Sequence, residues 1–136
     1  MSLHIDLWLW PLDQPTDRLS ELSTLLSPDE TARARRFVNQ RHGDHFVAGR
    51  GRLREILSGY CAVPAATLRF SYNEFGKPAV PDGPAFNLSH SAGWAALAVT
   101  DHAPLGIDIE RFRVVEDGVA RRFFAPHEYA TLSALP

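Results

Sequence analysis

Along residues 3–10, LHIDLWLW, apolar and polar side chains alternate until Pro11. A period of two predicts a β-strand. The period then changes. Leucines at 19, 22, 25 and 26 predict an amphipathic helix from Thr16 to Leu26. SPDE at 27–30 reads as a capping box, with Ser27 as N-cap, proline at the first helical position and Glu30 three residues on. A helix should run from there to about Asn39, with a break at Gly43 and Asp44. The next helix carries Phe46, Leu53, Ile56, Leu57 and Tyr60 on its inner side, with Arg50, Arg52 and Arg54 beside them. Such a basic cluster usually forms a solvated face. Gly49 and Gly51 inside this helix each cost roughly 1 kcal/mol against alanine. They mark either a close approach by backbone or ligand, or a tolerated defect.

Beyond Pro64 the pattern turns to strands: TLRFSY, FNLSHS, WAALAVT and LGIDIE, with the turn-rich NEFGKPAVPDGPA between the first two. Their hairpin-like spacing predicts an antiparallel sheet, so the fold class is α+β, a small antiparallel sheet packed with helices. FFAPHEYATLSAL restarts a helix at Pro126, with Tyr129, Leu132 and Leu135 on one side.

At 136 residues the chain is most simply one domain of ordinary globular composition. Its first residues lack a basic flank leading into an apolar core, so neither a signal peptide nor a membrane span is expected, and a cytoplasmic location is. One cysteine, Cys61, excludes an internal disulfide framework and a cysteine-based zinc site. Net charge is −2, yet seven of the fourteen basic residues lie between Arg33 and Arg54, where Asp44 is the only acid. A local positive field in an acidic chain suits a small phosphorylated ligand better than a nucleic acid. Interleaved aromatics for base stacking are also lacking beyond Phe37 and Phe46. Thirteen of the fourteen cations are arginine, and the one lysine, Lys77, sits in EFGKP. An ammonium kept at that position hints at a specific need.

Three segments are polar where a simple core would be apolar. In GIDIE, alternation puts Asp108 and Glu110 on one face and Ile107 and Ile109 on the other. The pair is either a solvated strand face or an oxygen site for a hard divalent cation. In NLSHS, Ser89, His90 and Ser91 precede the turn residues Ala92-Gly93. That cluster is either a phosphate-oxygen site or a hydrogen-bonded turn with a structural histidine. GKP holds a cation between a flexible and a rigid residue, as any surface turn can.

In combination and order, LSPDETARARRF, GRGRLREIL, NEFGKPAV, FNLSHSAGWAALAVT, PLGIDIERFR and ARRFFAPHEY closely resemble the surfactin-synthetase-activating type of 4'-phosphopantetheinyl transferase. The resemblance covers nearly the whole chain. It implies transfer of the 4'-phosphopantetheine arm of coenzyme A to a serine of an apo acyl or peptidyl carrier protein, with release of 3',5'-ADP. By position it implies that Asp108 and Glu110 hold Mg²⁺ against the pyrophosphate. Ser89 and His90 match positions touching coenzyme A phosphates, and Gly76, Lys77 and Pro78 match the turn against the adenosine end. Arg33 matches a basic position near the 3'-phosphate. His45 and Phe46 fall in a region used for nucleotide contact. Glu30 stands where a relative carries a basic residue, so that contact is lost here.

The resemblance further implies two similar α+β halves related by a pseudo-twofold, with coenzyme A between them. Residues 1–103 would be the first half and 104–136 the opening strand and helix of the second. The family's aromatic-x-x-lysine-glutamate segment has no counterpart after Tyr129, and Glu128 aligns with an earlier family position. The general base is therefore open: a metal-bound water, a residue of a second copy, or one from a further segment. Exposure of the Ile107/Ile109 face and of the last helix then predicts either self-association, such as a homodimer completing the missing half, or a chain stabilised by a partner. The competing expectation is a non-catalytic or incomplete coenzyme A-binding remnant.

Overall fold

A computed structural model of the chain describes residues 3–101, 103–111 and 125–134. The elements in order are β1 (Asp6–Pro11), α1 (Thr16–Ser23), α2 (Pro28–Arg36), α3 (Gln40–Cys61), a 3-10 turn (Ala65–Thr67), β2 (Ser71–Tyr72), β3 (Pro78–Ala79), β4 (Ala85–Ser91) and β5 (Trp94–Thr100), with a further helix over Pro126–Ser133. The architecture is α+β, with a three-stranded antiparallel sheet in the order β1-β5-β4. Central β5 is buried from Ala95 to Thr100, which accounts for its almost unbroken apolar spelling. Ala92 and Gly93 both take positive φ, 51° and 81°. They form a two-residue turn of the primed kind that suits a twisted hairpin, and Ser91 opposite Trp94 closes the ladder.

One sheet face supplies Trp10, Phe86, Leu97 and Val99 to a core completed by Leu53, Ile56 and Leu57 of α3. The Trp10 indole N–H donates to the Ala48 carbonyl at 3.2 Å, fixing β1 against α3. The opposite face carries Leu7 and Leu9, 67% and 65% exposed, in register across β5 with Asn87 and Ser89 of β4. Among the described residues this β1 stripe is the exposed apolar edge. Ile107 and Ile109, expected to be bare, are half-buried. No helix of the described residues is long and apolar enough to cross a membrane.

Several sequence expectations are corrected. The α1 helix stops at Ser23, and the chain continues to Leu26 through tighter bonds: Leu25 N–H to Leu22 and Leu26 N–H to Ser23. The break after α2 falls at residues 37–39, not at Gly43 and Asp44. Phe37 turns extended, and the Asn39 side chain caps α3 by accepting from the Arg41 and His42 N–H groups. Gly43 lies inside α3, where a Cβ would stand 3.0 Å from the Ala34 carbonyl of α2. It marks close helix packing rather than a break. Of TLRFSY only Ser71–Tyr72 is strand. LGIDIE forms no strand, although its exposure alternates as expected, with the isoleucines half-buried and the carboxylates out. The Pro126 helix start is observed. The ARRFF segment, the side chains of Glu128, Tyr129 and Leu132, and Leu135 lie outside the described residues.

Gly49 and Gly51 of α3 separate physically. A Cβ on Gly51 would lie 2.7 Å from Leu22 Cβ and 3.0 Å from the Leu22 carbonyl, so α1 and α3 touch through it. On Gly49 it would meet only Leu12 Cδ2 at 3.6 Å, an ordinary contact.

The arginines correct a larger expectation. Arg50 and Arg54 are buried, not solvated. The capping box forms as expected, with Glu30 N–H donating to Ser27 Oγ at 3.2 Å and Ser27 N–H to Glu30 Oε1 at 2.9 Å. The same carboxylate, 5% exposed, also accepts from Arg54 Nε at 2.7 Å and Arg50 NH1 at 2.8 Å. Burial pushes the Glu30 carboxyl up, but hydrogen bonds from Arg54, the Ser27 backbone and Arg50 outweigh it and hold the group below its ordinary value.

Removing one member of a buried ion pair costs about 3–5 kcal/mol, because the partner charge stays buried. Glu30→Ala should therefore lower unfolding stability by about that amount in a urea titration. Because the folded carboxyl is depressed, its contribution is complete above the ordinary value of 4.5 and disappears as pH falls through the folded value. The stability gap between wild type and Glu30→Gln should accordingly narrow below about pH 4.5. Gly51→Ala should destabilise by about 1–3 kcal/mol through overpacking. Gly49→Ala should be neutral or stabilising by up to about 1 kcal/mol, and thermal unfolding of the pair distinguishes them.

Candidate functional site

Strand β4 separates two groups of candidate residues. Its side chains alternate, so Ser89 and His90, adjacent in sequence, point to opposite faces. On the His90 side, α2, α3 and the hairpin turn enclose a cleft of about 550 Å³ whose walls include Arg33, His42, His45, Phe46, Arg50 and His90. The structure thus brings together Arg33, His45 and His90, three of the residues singled out from sequence.

Phe46 organises the basic wall. The Arg33 guanidinium lies 4.8 Å from its ring centre and that of Arg50 5.6 Å, a cation–π arrangement. Phe37 supports the ring at 6.0 Å. His45 is held from α3 by Asp13, whose Oδ1 lies 2.7 Å from its Nε2. Asp13 also accepts from Arg41 at 3.2 Å, and hydrogen bonds from His45 and then Arg41 keep its carboxyl below the usual range. The cleft therefore offers guanidinium and imidazole groups around an aromatic ring. That chemistry suits a phosphorylated aromatic ligand.

On the Ser89 side lies the carboxylate segment. Ser89 Oγ donates to Asp108 Oδ1 at 3.3 Å and accepts the Ile109 N–H at 3.2 Å. Asn87, two residues earlier on the same face, accepts the Ile107 N–H at 2.8 Å. Asp108 and Glu110 are both exposed, on the side away from the isoleucines. Among the described residues no group of three or more His, Cys, Asp or Glu side chains is placed to enclose a metal ion. Two exposed carboxylates on one side are nevertheless a fitting partial oxygen set for a hard cation that keeps water or ligand oxygens in its other positions.

The GKP turn sits apart from the basic cleft. Lys77 and Pro78 line a pocket of about 360 Å³ with Pro104 and Leu105. The Lys77 ammonium donates to the Leu105 carbonyl at 3.1 Å, and Gly76 takes a φ of 78°. Asn73 shapes this turn: its Oδ1 accepts the N–H groups of Phe75 and Lys77, each at 2.9 Å.

Sequence reasoning missed Asn73, Asn87 and Arg50. An Asx turn ahead of a glycine was a readable signal for Asn73. For Arg50 the signal was its place at helical spacing with Leu53, Arg54 and Leu57, which puts both arginines on the inner stripe. Asn87 gave no local signal, because its partner lies twenty residues away.

A family model described as 4'-phosphopantetheinyl transferase, N-terminal, matches residues 13–102. The 4'-phosphopantetheinyl transferase HetI of a Nostoc species is 45% identical over the whole chain and 60% of its own length. The 4'-phosphopantetheinyl transferase Sfp of Bacillus subtilis is 34% identical over 91% of this chain and 55% of its own. An L-aminoadipate-semialdehyde dehydrogenase-phosphopantetheinyl transferase of Mus musculus is 27% identical over 73% of this chain. The chain spans somewhat more than half the length of the two bacterial relatives. With the family model matched over most of its residues, the chain belongs to the 4'-phosphopantetheinyl transferase family.

Proposed function

We propose that this chain binds coenzyme A and takes part in transferring its 4'-phosphopantetheine arm to a serine of an apo acyl or peptidyl carrier protein, in a magnesium-dependent reaction. The observation that carries the reading is the two-sided use of β4: His90 faces the arginine-lined cleft, while Ser89, next to it, bonds to Asp108. A nucleotide end held in the cleft and a pyrophosphate crossing the strand end would meet both groups.

In this reading Arg33, His45 and His90 bind phosphate oxygens around the Phe46 ring, while the GKP turn, apart from that cleft, holds the chain leading to Asp108 through the Lys77 bond to the Leu105 carbonyl. Asp108 and Glu110 would hold Mg²⁺, which when bound supplies neutralisation of the charge growing on the pyrophosphate. The Ser89 hydroxyl spends its one proton on Asp108, so it serves the site by orienting that carboxylate. In the transfer a bond forms between the carrier serine oxygen and the β-phosphorus, and the bridging P–O bond breaks to release 3',5'-ADP. The serine proton passes to a general base as that bond forms. We read the described fold as the first of two similar halves related by a pseudo-twofold, residues 1–103 with 104–136 opening the second.

Intact mass after incubating the chain with coenzyme A, Mg²⁺ and an apo carrier protein tests the reading. A magnesium-dependent gain of phosphopantetheine on the carrier, abolished in Asp108→Ala/Glu110→Ala, is the expected result. Coenzyme A binding by calorimetry without transfer would instead select the incomplete coenzyme A-binding form. Arg33→Ala should weaken coenzyme A binding about tenfold or more, the usual cost of one charge-assisted hydrogen bond. Unchanged affinity would remove Arg33 from the site.

A further inference from the structure

The segment carrying Asp108 and Glu110 belongs to no strand, so backbone ladder bonds do not set its register. Side chains do. Lys77 Nζ donates to the carbonyl of Leu105, Asn87 Oδ1 accepts the N–H of Ile107, and Ser89 Oγ accepts the N–H of Ile109. The three anchored residues lie two apart, which matches the period of an extended chain. Two of the three anchors, Asn87 and Ser89, are themselves two apart on one face of β4. From this match we infer that Asn87 is a positioning residue: with Ser89 and Lys77 it forms a side-chain ladder that fixes the register of residues 105–109 and thereby aims the carboxylates of Asp108 and Glu110.

Register is what such a ladder controls. A slip by one residue would exchange the isoleucine and carboxylate faces, turning Asp108 inward and Ile109 outward. Asn87 opposes that slip most directly. Its 2.8 Å bond is the shortest of the three, and it holds the residue just before Asp108. Ser89 adds a second function by joining register to carboxylate, since one hydroxyl accepts the Ile109 N–H and donates to Asp108. Outer-sphere partners of this kind typically change metal affinity 10–100-fold when removed. The consequence for metal binding rests on the proposed role of Asp108 and Glu110, whereas the register role rests on the geometry alone.

Two readouts on the whole chain keep these levels apart. Amide hydrogen exchange measures whether the ladder holds the backbone, and Mn²⁺ binding followed by electron paramagnetic resonance measures whether it aims the carboxylates. In Asn87→Ala the Ile107 amide should exchange about tenfold faster or more, with core amides such as Leu97 unchanged, and Mn²⁺ affinity should fall about tenfold or more. Asn87→Asp keeps an acceptor of the same reach and should restore protection at Ile107. Unchanged exchange at Ile107 in Asn87→Ala, or faster exchange with Mn²⁺ affinity intact, overturns the inference. If wild type binds no Mn²⁺, the metal reading of the dyad fails, and exchange alone decides the ladder. Should Asn87→Ala not fold, Ser89→Ala carries the same test at Ile109.

Discussion

Glu30 shares one buried carboxylate among a helix cap and two guanidiniums, and the layout of the helical layer follows from it. The first turn of α2 is closed by its bonds with Ser27, and α2 is tied to α3 through Arg50 and Arg54. Arg54 then donates to the Ala65 and Leu68 carbonyls at 2.9 and 2.8 Å, anchoring the turn that leaves α3. Arg50 donates to the Tyr72 hydroxyl at 2.6 Å, anchoring β2. Taking three ionised groups out of water costs several kcal/mol for each, so such a cluster persists only when the hydrogen bonds are nearly complete. Among the described residues no buried side-chain nitrogen or oxygen lacks a partner.

The same cluster sets the electrostatics of the cleft. One carboxylate against two guanidiniums leaves a net positive charge, and Arg50, the member nearer the cleft, forms part of its wall. Its guanidinium packs against Phe46, Phe70 and Tyr72 at 5.6, 5.1 and 5.9 Å from the ring centres. The Phe46 ring therefore has a buried cation on one contact and the exposed Arg33 on another. An anion entering the cleft meets one guanidinium held by the core, Arg50, and one at the surface, Arg33. The Asp13–Arg41 pair at the rim is exposed on both sides, and such pairs contribute little to stability. Its consequence is local, in holding Asp13 where it can fix His45.

Much of this was legible in the chain, and what was not has physical reasons. The capping box, the central apolar strand, the Ala92-Gly93 turn and the grouping of Arg33, His45 and His90 each follow from spacing or residue type within one element or from a family pattern. The Glu30–Arg50–Arg54 cluster did not. Charge in a sequence reads as solvated unless its helical phase is followed strictly, and here that phase places both arginines with Leu53 and Leu57. The misplaced break at Gly43 has a related origin. Glycine signals a turn locally, but here it answers to a carbonyl of another helix at 3.0 Å. GIDIE shows the converse. Alternation correctly forecast which side chains turn inward, yet alternation reports a face and not a ladder, and the ladder here is made by side chains.

That difference shapes the site. Backbone pairing on both edges of β4 would have drawn the carboxylate segment into the sheet and given its register to main-chain bonds common to every sequence. Side-chain pairing leaves that register to three identities, Lys77, Asn87 and Ser89. Strand β4 is paired firmly to β5 over seven positions, Ala85 to Ser91, so its side chains project from a fixed plane. His90 reaches the cleft from one side of that plane, while Asn87 and Ser89 reach the carboxylates from the other. A displacement of the hairpin would move both groups together, so their spacing is set by the pleat of a single strand rather than by the meeting of separate loops.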